Sequence, residues 1–112
     1  MISKALMAAS TKPIILSILL DGEDYGYNII QRVKAVSGGF LEWSDGMLYP
    51  VLQRLEKEKC IASRWIISDE GRYRKYYRIT DDGRTALESE MVQWRGVYSA
   101  LAKLCKPLLV TE

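Results

Sequence analysis

The most constraining feature of this chain is the segment from residue 44 to residue 84, which joins one amphipathic helix to two strand-like runs. The helix pattern begins at Ser44 and continues through Glu56. The two runs are residues 61–68 and 73–79. A basic stretch, residues 71–80, includes the second run and contains no Asp or Glu. A helix followed by a cationic hairpin is the outline of a winged helix-turn-helix. The segment therefore predicts a fold that is mainly α with a small β-hairpin.

One side of the helix after Ser44 is apolar and the other is polar. Ser44 is a favourable N-cap, and the apolar residues recur at helical spacing. The predicted buried face consists of Met47, Leu48, Val51, Leu52 and Leu55. The opposite side carries Asp45, Tyr49, Pro50, Gln53, Arg54 and Lys57. Pro50 lies beyond the first turn and removes one backbone hydrogen bond, so we expect it to bend the start of the helix.

The polar side of this helix and the hairpin together predict a DNA-binding surface. Gln can read adenine, Arg can read guanine, and a tyrosine hydroxyl suits a phosphate or a base. The expected DNA contacts are Ser44, Tyr49, Pro50, Gln53, Arg54, Lys57, Arg72, Arg74 and Lys75. Two alternatives remain for the helix: Glu56 and Glu58 pair with Arg54 and Lys57, or Tyr49 packs half-buried on the preceding helix.

The hairpin cations have a simpler alternative, a solvated turn with no specific role. Alternation along the strand places Arg72, Arg74 and Tyr76 on one face and Tyr73, Lys75 and Tyr77 on the other. Both faces can reach a duplex near the tip. Arg78 lies nearer the base of the strand, where it can pair with Asp81 or Asp82.

The residues before Ser44 predict a series of helices. A short leading helix covers residues 2–9, and a second, buried helix begins at Pro13, which suits a first helical position, and ends at residues 21–22. Asp24 is expected to cap the next helix, which residues 38–39 stop. Residues 40–43 form an apolar connector or a brief strand that pairs with the hairpin.

The spacing of apolar residues in the last helix predicts that this helix packs against a second helix. Thr80 caps it, and its apolar residues alternate steps of four and three, the period of a helix–helix seam. The predicted dimer interface is Leu87, Met91, Trp94, Tyr98, Leu101, Cys105 and Leu108. The alternative is a helix packed on its own domain. We accordingly divide the chain into a winged helix-turn-helix, residues 1–80, and a C-terminal dimerisation helix with its tail, residues 81–112.

Composition argues against most enzyme classes. The 112 residues include no histidine, so zinc sites and His-dependent catalysis lose their commonest group. Neither a nucleophile motif nor a phosphate-binding glycine loop is present, and we expect no enzyme, no metal and no cofactor. The net charge is only +2, so nucleic-acid affinity must depend on where the charges lie. No secretory h-region or membrane-spanning stretch is found. Cys60 and Cys105 indicate buried, reduced thiols of a cytoplasmic protein; a redox-sensing role or an intersubunit disulfide is the alternative.

Several of these pieces resemble the PadR family of bacterial transcriptional regulators. The resemblance rests on residues 46–56, GMLYPVLQRLE, on the segment from Arg72 to Thr80 with its RKYYRIT run, on Gly83, and on residues 25–30, YGYNII. It implies a winged helix-turn-helix that dimerises through one C-terminal helix and binds a palindromic operator in double-stranded DNA, usually as a repressor. Tyr49, Pro50 and Arg54 match the recognition helix of the family, and Arg74 and Lys75 match its wing.

Two positions depart from the family pattern. Lys59 stands where members commonly have glycine, and at positive φ it would cost about 1 kcal/mol. Tyr73 stands where a further basic residue is common in the wing.

The resemblance also implies an effector for some short members, a planar aromatic ligand held between subunits. Met91, Trp94 and Tyr98 are the corresponding candidates, because a tryptophan face stacks on aromatic or cationic compounds. Trp94 can equally be an aromatic residue of the dimer core. The alternative function for the whole chain is a winged-helix module that binds protein and no DNA.

Overall fold

The computed structural model describes residues 1–105, which form four helices and a small three-stranded sheet. In chain order these elements are α1 (Lys4–Leu19), β1 (Asp24–Tyr25), α2 (Gly26–Val36), α3 (Asp45–Lys57), β2 (Ile61–Ile67), β3 (Tyr73–Ile79) and α4 (Asp81–Leu104). The sheet is antiparallel with the order β1-β3-β2. A mainly helical fold with a hairpin before its last helix is thus confirmed.

The prediction of two helices before residue 21 was wrong, because α1 is continuous and contains Pro13. A proline inside a helix costs about 3 kcal/mol, since it removes one hydrogen bond and crowds the preceding turn. The residues beyond it offset that cost: Ile15 and Leu16 are fully buried, and such side chains contribute about 1.5–3 kcal/mol each. The burial of the second half of α1 therefore outweighs the cost of Pro13 inside the helix.

Asp24 was wrongly predicted as a helix cap; it lies in β1, and the residue after it, Tyr25, is the N-cap of α2. Its buried carboxylate accepts hydrogen bonds from the Tyr25 backbone N–H (2.9 Å) and from the Asn28 side chain, and pairs with Arg32 (3.2 Å). β1 pairs with β3, with Tyr25 opposite Tyr76. The third strand of the sheet is therefore residues 24–25, and residues 40–43, the other proposed strand, form none.

The buried face of α3 agrees with its sequence pattern. Leu48, Leu52 and Leu55 are fully buried in the core, and Met47 and Val51 pack partly buried against it. The Ser44 hydroxyl accepts a hydrogen bond from the Met47 N–H at 3.2 Å, as expected for the N-cap. The core thus fixes which side of α3 remains at the surface.

The turn after α3 determines where the hairpin starts. Lys59 has a φ of 66° and is therefore in the left-handed conformation. Glycine, which the family commonly has at this position, adopts that conformation without strain. The Lys59 carbonyl accepts from the Thr80 hydroxyl (2.6 Å), which in turn accepts from the Gly83 N–H and caps α4 as predicted. A Cβ at Gly83 would collide with the Cys60 carbonyl oxygen. Only glycine permits α4 to start this close to the turn.

The apolar seam of α4 is buried only at its start. Leu87 belongs to the core, whereas Met91, Tyr98 and Leu101 are exposed and Trp94 and Cys105 are half-buried. Leu108, the last residue of the predicted interface, lies outside the described residues. Within residues 1–105 no helix is long and apolar enough to cross a membrane.

Candidate nucleic-acid interface

The polar side of α3 is exposed along its whole length. Tyr49, Pro50, Gln53, Arg54 and Lys57 all reach the surface, as does the capping residue Ser44. They do so because the leucines on the other side are held in the core. The recognition-helix candidates therefore form one continuous exposed surface.

Tyr49 packs on α2, the alternative stated for this residue, while part of its side chain stays exposed. Its ring lies against Gly26, where any Cβ would collide with the phenol. Burial, and to a smaller extent the negative charge of Asp45, raise the pKa of Tyr49 above its ordinary value. A tyrosine hydroxyl is protonated at neutral pH even without this shift, and it can donate to a phosphate oxygen.

Arg54 and Lys57 differ in their neighbours. The Arg54 guanidinium lies 3.9 Å from the Glu58 carboxylate, so one of the proposed surface pairs is present. Both side chains are about half exposed, and such pairs contribute about 0–1 kcal/mol. Within the described residues Lys57 forms no ion pair. Either cation can therefore turn to a polyanion at little cost.

The wing is the hairpin formed by β2 and β3, and its three cations that were predicted to contact DNA are not equivalent. Arg72 lies in the turn, where its N–H donates to the Ser68 hydroxyl and its side chain is exposed. Arg74 lies over the ring of Tyr25, 4.5 Å from its centroid. Lys75 lies 3.6 Å from the Glu56 carboxylate of α3. Two of these three predicted DNA contacts, Arg74 and Lys75, are therefore partly held by neighbouring side chains in the single chain.

Two other cations of the sheet, Arg64 and Arg78, differ in their ion pairs. Arg64 of β2 forms a bidentate pair with Glu23, and this hydrogen bonding lowers the pKa of the carboxyl. Arg78 forms no ion pair with Asp81 or Asp82 within the described chain, and Asp81 pairs instead with Arg84 at 3.7 Å. The proposed pairing of Arg78 was wrong, because Asp81 pairs with Arg84 within the first turn of α4.

A cleft of about 370 Å³ separates α3 from the wing. Tyr49 and Gln53 line it from α3, and Arg74, Lys75, Tyr73 and Trp65 line it from the wing. Sequence reasoning placed no DNA contact at Trp65 or Tyr73. Strand alternation already placed Tyr73 on the face that carries Lys75, and the pairing of residue 65 with residue 75 adds Trp65 to that face.

A second cavity, of about 450 Å³, lies between α1, α2 and α4. Met91 and Trp94 line it, together with Ile14, Ile18, Val33 and Leu41; the third effector candidate, Tyr98, does not. Its other lining groups are aliphatic or hydroxyl-bearing, and none is charged. The Trp94 indole N–H donates to Glu90 at 3.4 Å. No group of three metal-ligating side chains occurs among residues 1–105.

Residues 15–89 match the transcriptional regulator PadR-like family. An uncharacterized protein of Lysinibacillus sphaericus is 32% identical over 97 residues, which cover 87% of this chain and 89% of that protein. The negative transcriptional regulator PadR of Bacillus subtilis is 32% identical over 82 residues, 73% of this chain and 45% of that protein.

Solved structures agree with this match. A PadR-like regulator from Bacillus cereus is 32% identical, with a TM-score of 0.79, covering 97% of this chain and 100% of that one. A Clostridium thermocellum regulator is 27% identical, with a TM-score of 0.83, covering 99% of this chain and 100% of that one.

Proposed function

The chain belongs to the PadR-like family of transcriptional regulators, a family of DNA-binding regulators and not of enzymes, and on this premise we propose that it is a homodimeric, sequence-specific repressor. In this proposal α3 enters the major groove and reads base edges through Gln53 and Arg54. The wing lies along the flanking backbone, where Arg72 and Arg74 meet phosphates. The observation that carries the proposal is the exposed polar side of α3 beside the wing cations.

Dimerisation is proposed from the uncovered apolar side of α4. Tyr98 is 58% exposed and Leu101 46%, and Val97 and Leu104 on the same half of the helix are also exposed. A seam of this kind is stable in water when a second helix covers it. We assign residues 81–112 to dimerisation and residues 1–80 to DNA binding. Two-fold symmetry then places two α3 helices on one face of a duplex and requires a palindromic operator.

Repression is the direction that the Bacillus subtilis relative suggests, since that protein is a negative transcriptional regulator. Release from DNA is assigned to a small planar aromatic effector in the 450 Å³ cavity, which falls in the volume range of ligand sites. Met91 and Trp94 would contact it, and Tyr98 would act at the subunit interface instead. We place the regulator in the cytoplasm, where its DNA target lies and free thiols such as Cys60 stay reduced.

Selection of bound duplexes from random DNA tests this function directly. The expected result is an inverted repeat whose half-sites are about one helical turn, or a multiple of it, apart. Recovery of a single unrepeated site would contradict the symmetric dimer. Enrichment of no duplex at low salt would favour the alternative, a winged-helix module that binds protein.

The effector is tested with planar aromatic dyes by quenching of tryptophan fluorescence. Trp65→Phe removes the exposed tryptophan, while Trp43 is buried and remains as a constant background. We expect quenching that disappears when Trp94→Ala is added, and weaker operator binding in the presence of dye. Quenching that survives Trp94→Ala would place the ligand elsewhere.

A further inference from the structure

One face of the wing carries large apolar side chains that no part of the described chain covers. Trp65 is 64% exposed, Ile67 58% and Tyr73 66%. The register sets Trp65 opposite Lys75 and Ile67 opposite Tyr73, so all four share one face of the hairpin. A cluster of exposed apolar side chains next to a cation is typical of a binding surface.

The same face forms one wall of the cleft beside α3. Tyr49 and Gln53 stand on the opposite wall, and Arg74 and Lys75 line the cleft as well. Among residues 1–105 no carboxylate lines it, although Glu56 pairs with Lys75 at its edge. The cations favour a polyanion, and the exposed rings favour a partner with apolar parts. A DNA strand has both properties, since apolar deoxyribose alternates with phosphate along its backbone.

We propose that this cleft holds the sugar–phosphate backbone of one DNA strand, with deoxyribose packed on Trp65 and Tyr73 and phosphates beside the cations that line it, Arg74 and Lys75. The inference rests on the proposed function, because α3 in the major groove brings the bordering strand between α3 and the wing. Trp65 and Tyr73 are then positioning residues. They contribute affinity that depends neither on salt nor on base sequence, whereas the cations contribute the salt-dependent part.

The test compares Trp65→Ala and Tyr73→Ala with the wild-type chain on the selected operator and on a duplex of mixed sequence, over a series of salt concentrations. Loss of a ring that covers sugar should weaken binding about tenfold. The factor should be the same on both duplexes and at every salt concentration, so that plots of log affinity against log salt stay parallel. Trp65→Phe, which keeps an aromatic face, should lose less than Trp65→Ala.

Phe40→Ala is the matched control, since Phe40 is 57% exposed and does not line the cleft; it should bind as the wild type does. Unchanged affinity of both alanine variants overturns the inference. A flattened salt dependence overturns it too, because the rings would then act only by holding Lys75. Loss confined to the operator would replace backbone contact with base reading. If the wild-type chain binds no duplex, the proposed function fails with it; if the wild type binds and the variants are unaffected, this inference alone fails.

Discussion

The Lys75 ammonium lies 3.6 Å from the Glu56 carboxylate, an ion pair that joins the wing to the C-terminal half of α3. Glu56 also accepts a hydrogen bond from the Ser63 hydroxyl, so one side chain contacts both strands of the hairpin. Both charged side chains are about one-third exposed. The pair therefore links the wing to α3, and the Glu56 carboxylate competes with a DNA phosphate for Lys75.

Glu56→Gln should tighten DNA binding several-fold, since a part-exposed pair is worth on the order of 0.5–1 kcal/mol. The amide oxygen can still accept from Ser63, while Lys75 loses the carboxylate that competes with a phosphate for it. The salt dependence should steepen by at most about one counterion. Affinity measured across salt concentrations checks this. Glu88→Gln, an exposed position on α4, changes the net charge equally and should have a smaller effect; equal gains would mean that only net charge matters.

Gln53→Ala and Arg54→Ala should relax sequence preference. Removing a side chain that reads a base edge costs about 1–3 kcal/mol of discrimination at that position. Arg74→Ala is the contrasting variant, because loss of a phosphate contact weakens binding to all sequences and flattens the salt dependence. Competition between operator and single-base variants measures the difference. Unaltered selectivity in both α3 variants would remove them from the set of base readers.

Leu101→Lys should shift the protein towards monomers. The side chain is nearly half exposed in the single chain, so the charge costs little there but must be desolvated in a helix–helix contact. We expect the dissociation constant of the dimer to rise at least about tenfold, equivalent to 1.4 kcal/mol. Sedimentation over a range of concentrations gives the value. Gln93→Lys, on an exposed polar position of α4, is the control and should leave the dimer intact.

Gly83→Ala should lower the free energy of unfolding by about 2–3 kcal/mol, because the added methyl would collide with the Cys60 backbone, which cannot swing aside like a side chain. Gly96→Ala, in the same helix with open space around it, should instead stabilise by about 0.5–1 kcal/mol through helix propensity. Urea unfolding of both variants measures the contrast. Similar changes at the two positions would refute close packing of α4 on the turn.

Lys59→Gly should raise the free energy of unfolding by about 0.5–1 kcal/mol. The residue has a φ of 66°, which glycine adopts without strain. Lys57→Gly, within α3, is the control and should destabilise by a similar amount. A loss of stability in Lys59→Gly would show that the lysine side chain makes a contact worth more than the strain.

Local patterns along the sequence determined much of this protein. The Ser44 and Thr80 caps, the leucine face of α3 and the extent of the hairpin follow from residues within a turn or two of one another. Such features depend on backbone hydrogen bonds and side-chain spacing that any short segment carries with it. They were sufficient to predict the fold class and the polar side of α3.

Only the tertiary structure decided the rest. The helix through Pro13 persists because of burial against other elements, and Asp24 joins the sheet because β3 lies beside it. The pairing of Lys75 with Glu56 and the placement of Trp65 in the cleft likewise depend on residues distant in the chain. Contacts of this kind arise from how whole elements pack, and no local spacing encodes which distant charge or ring a side chain will meet.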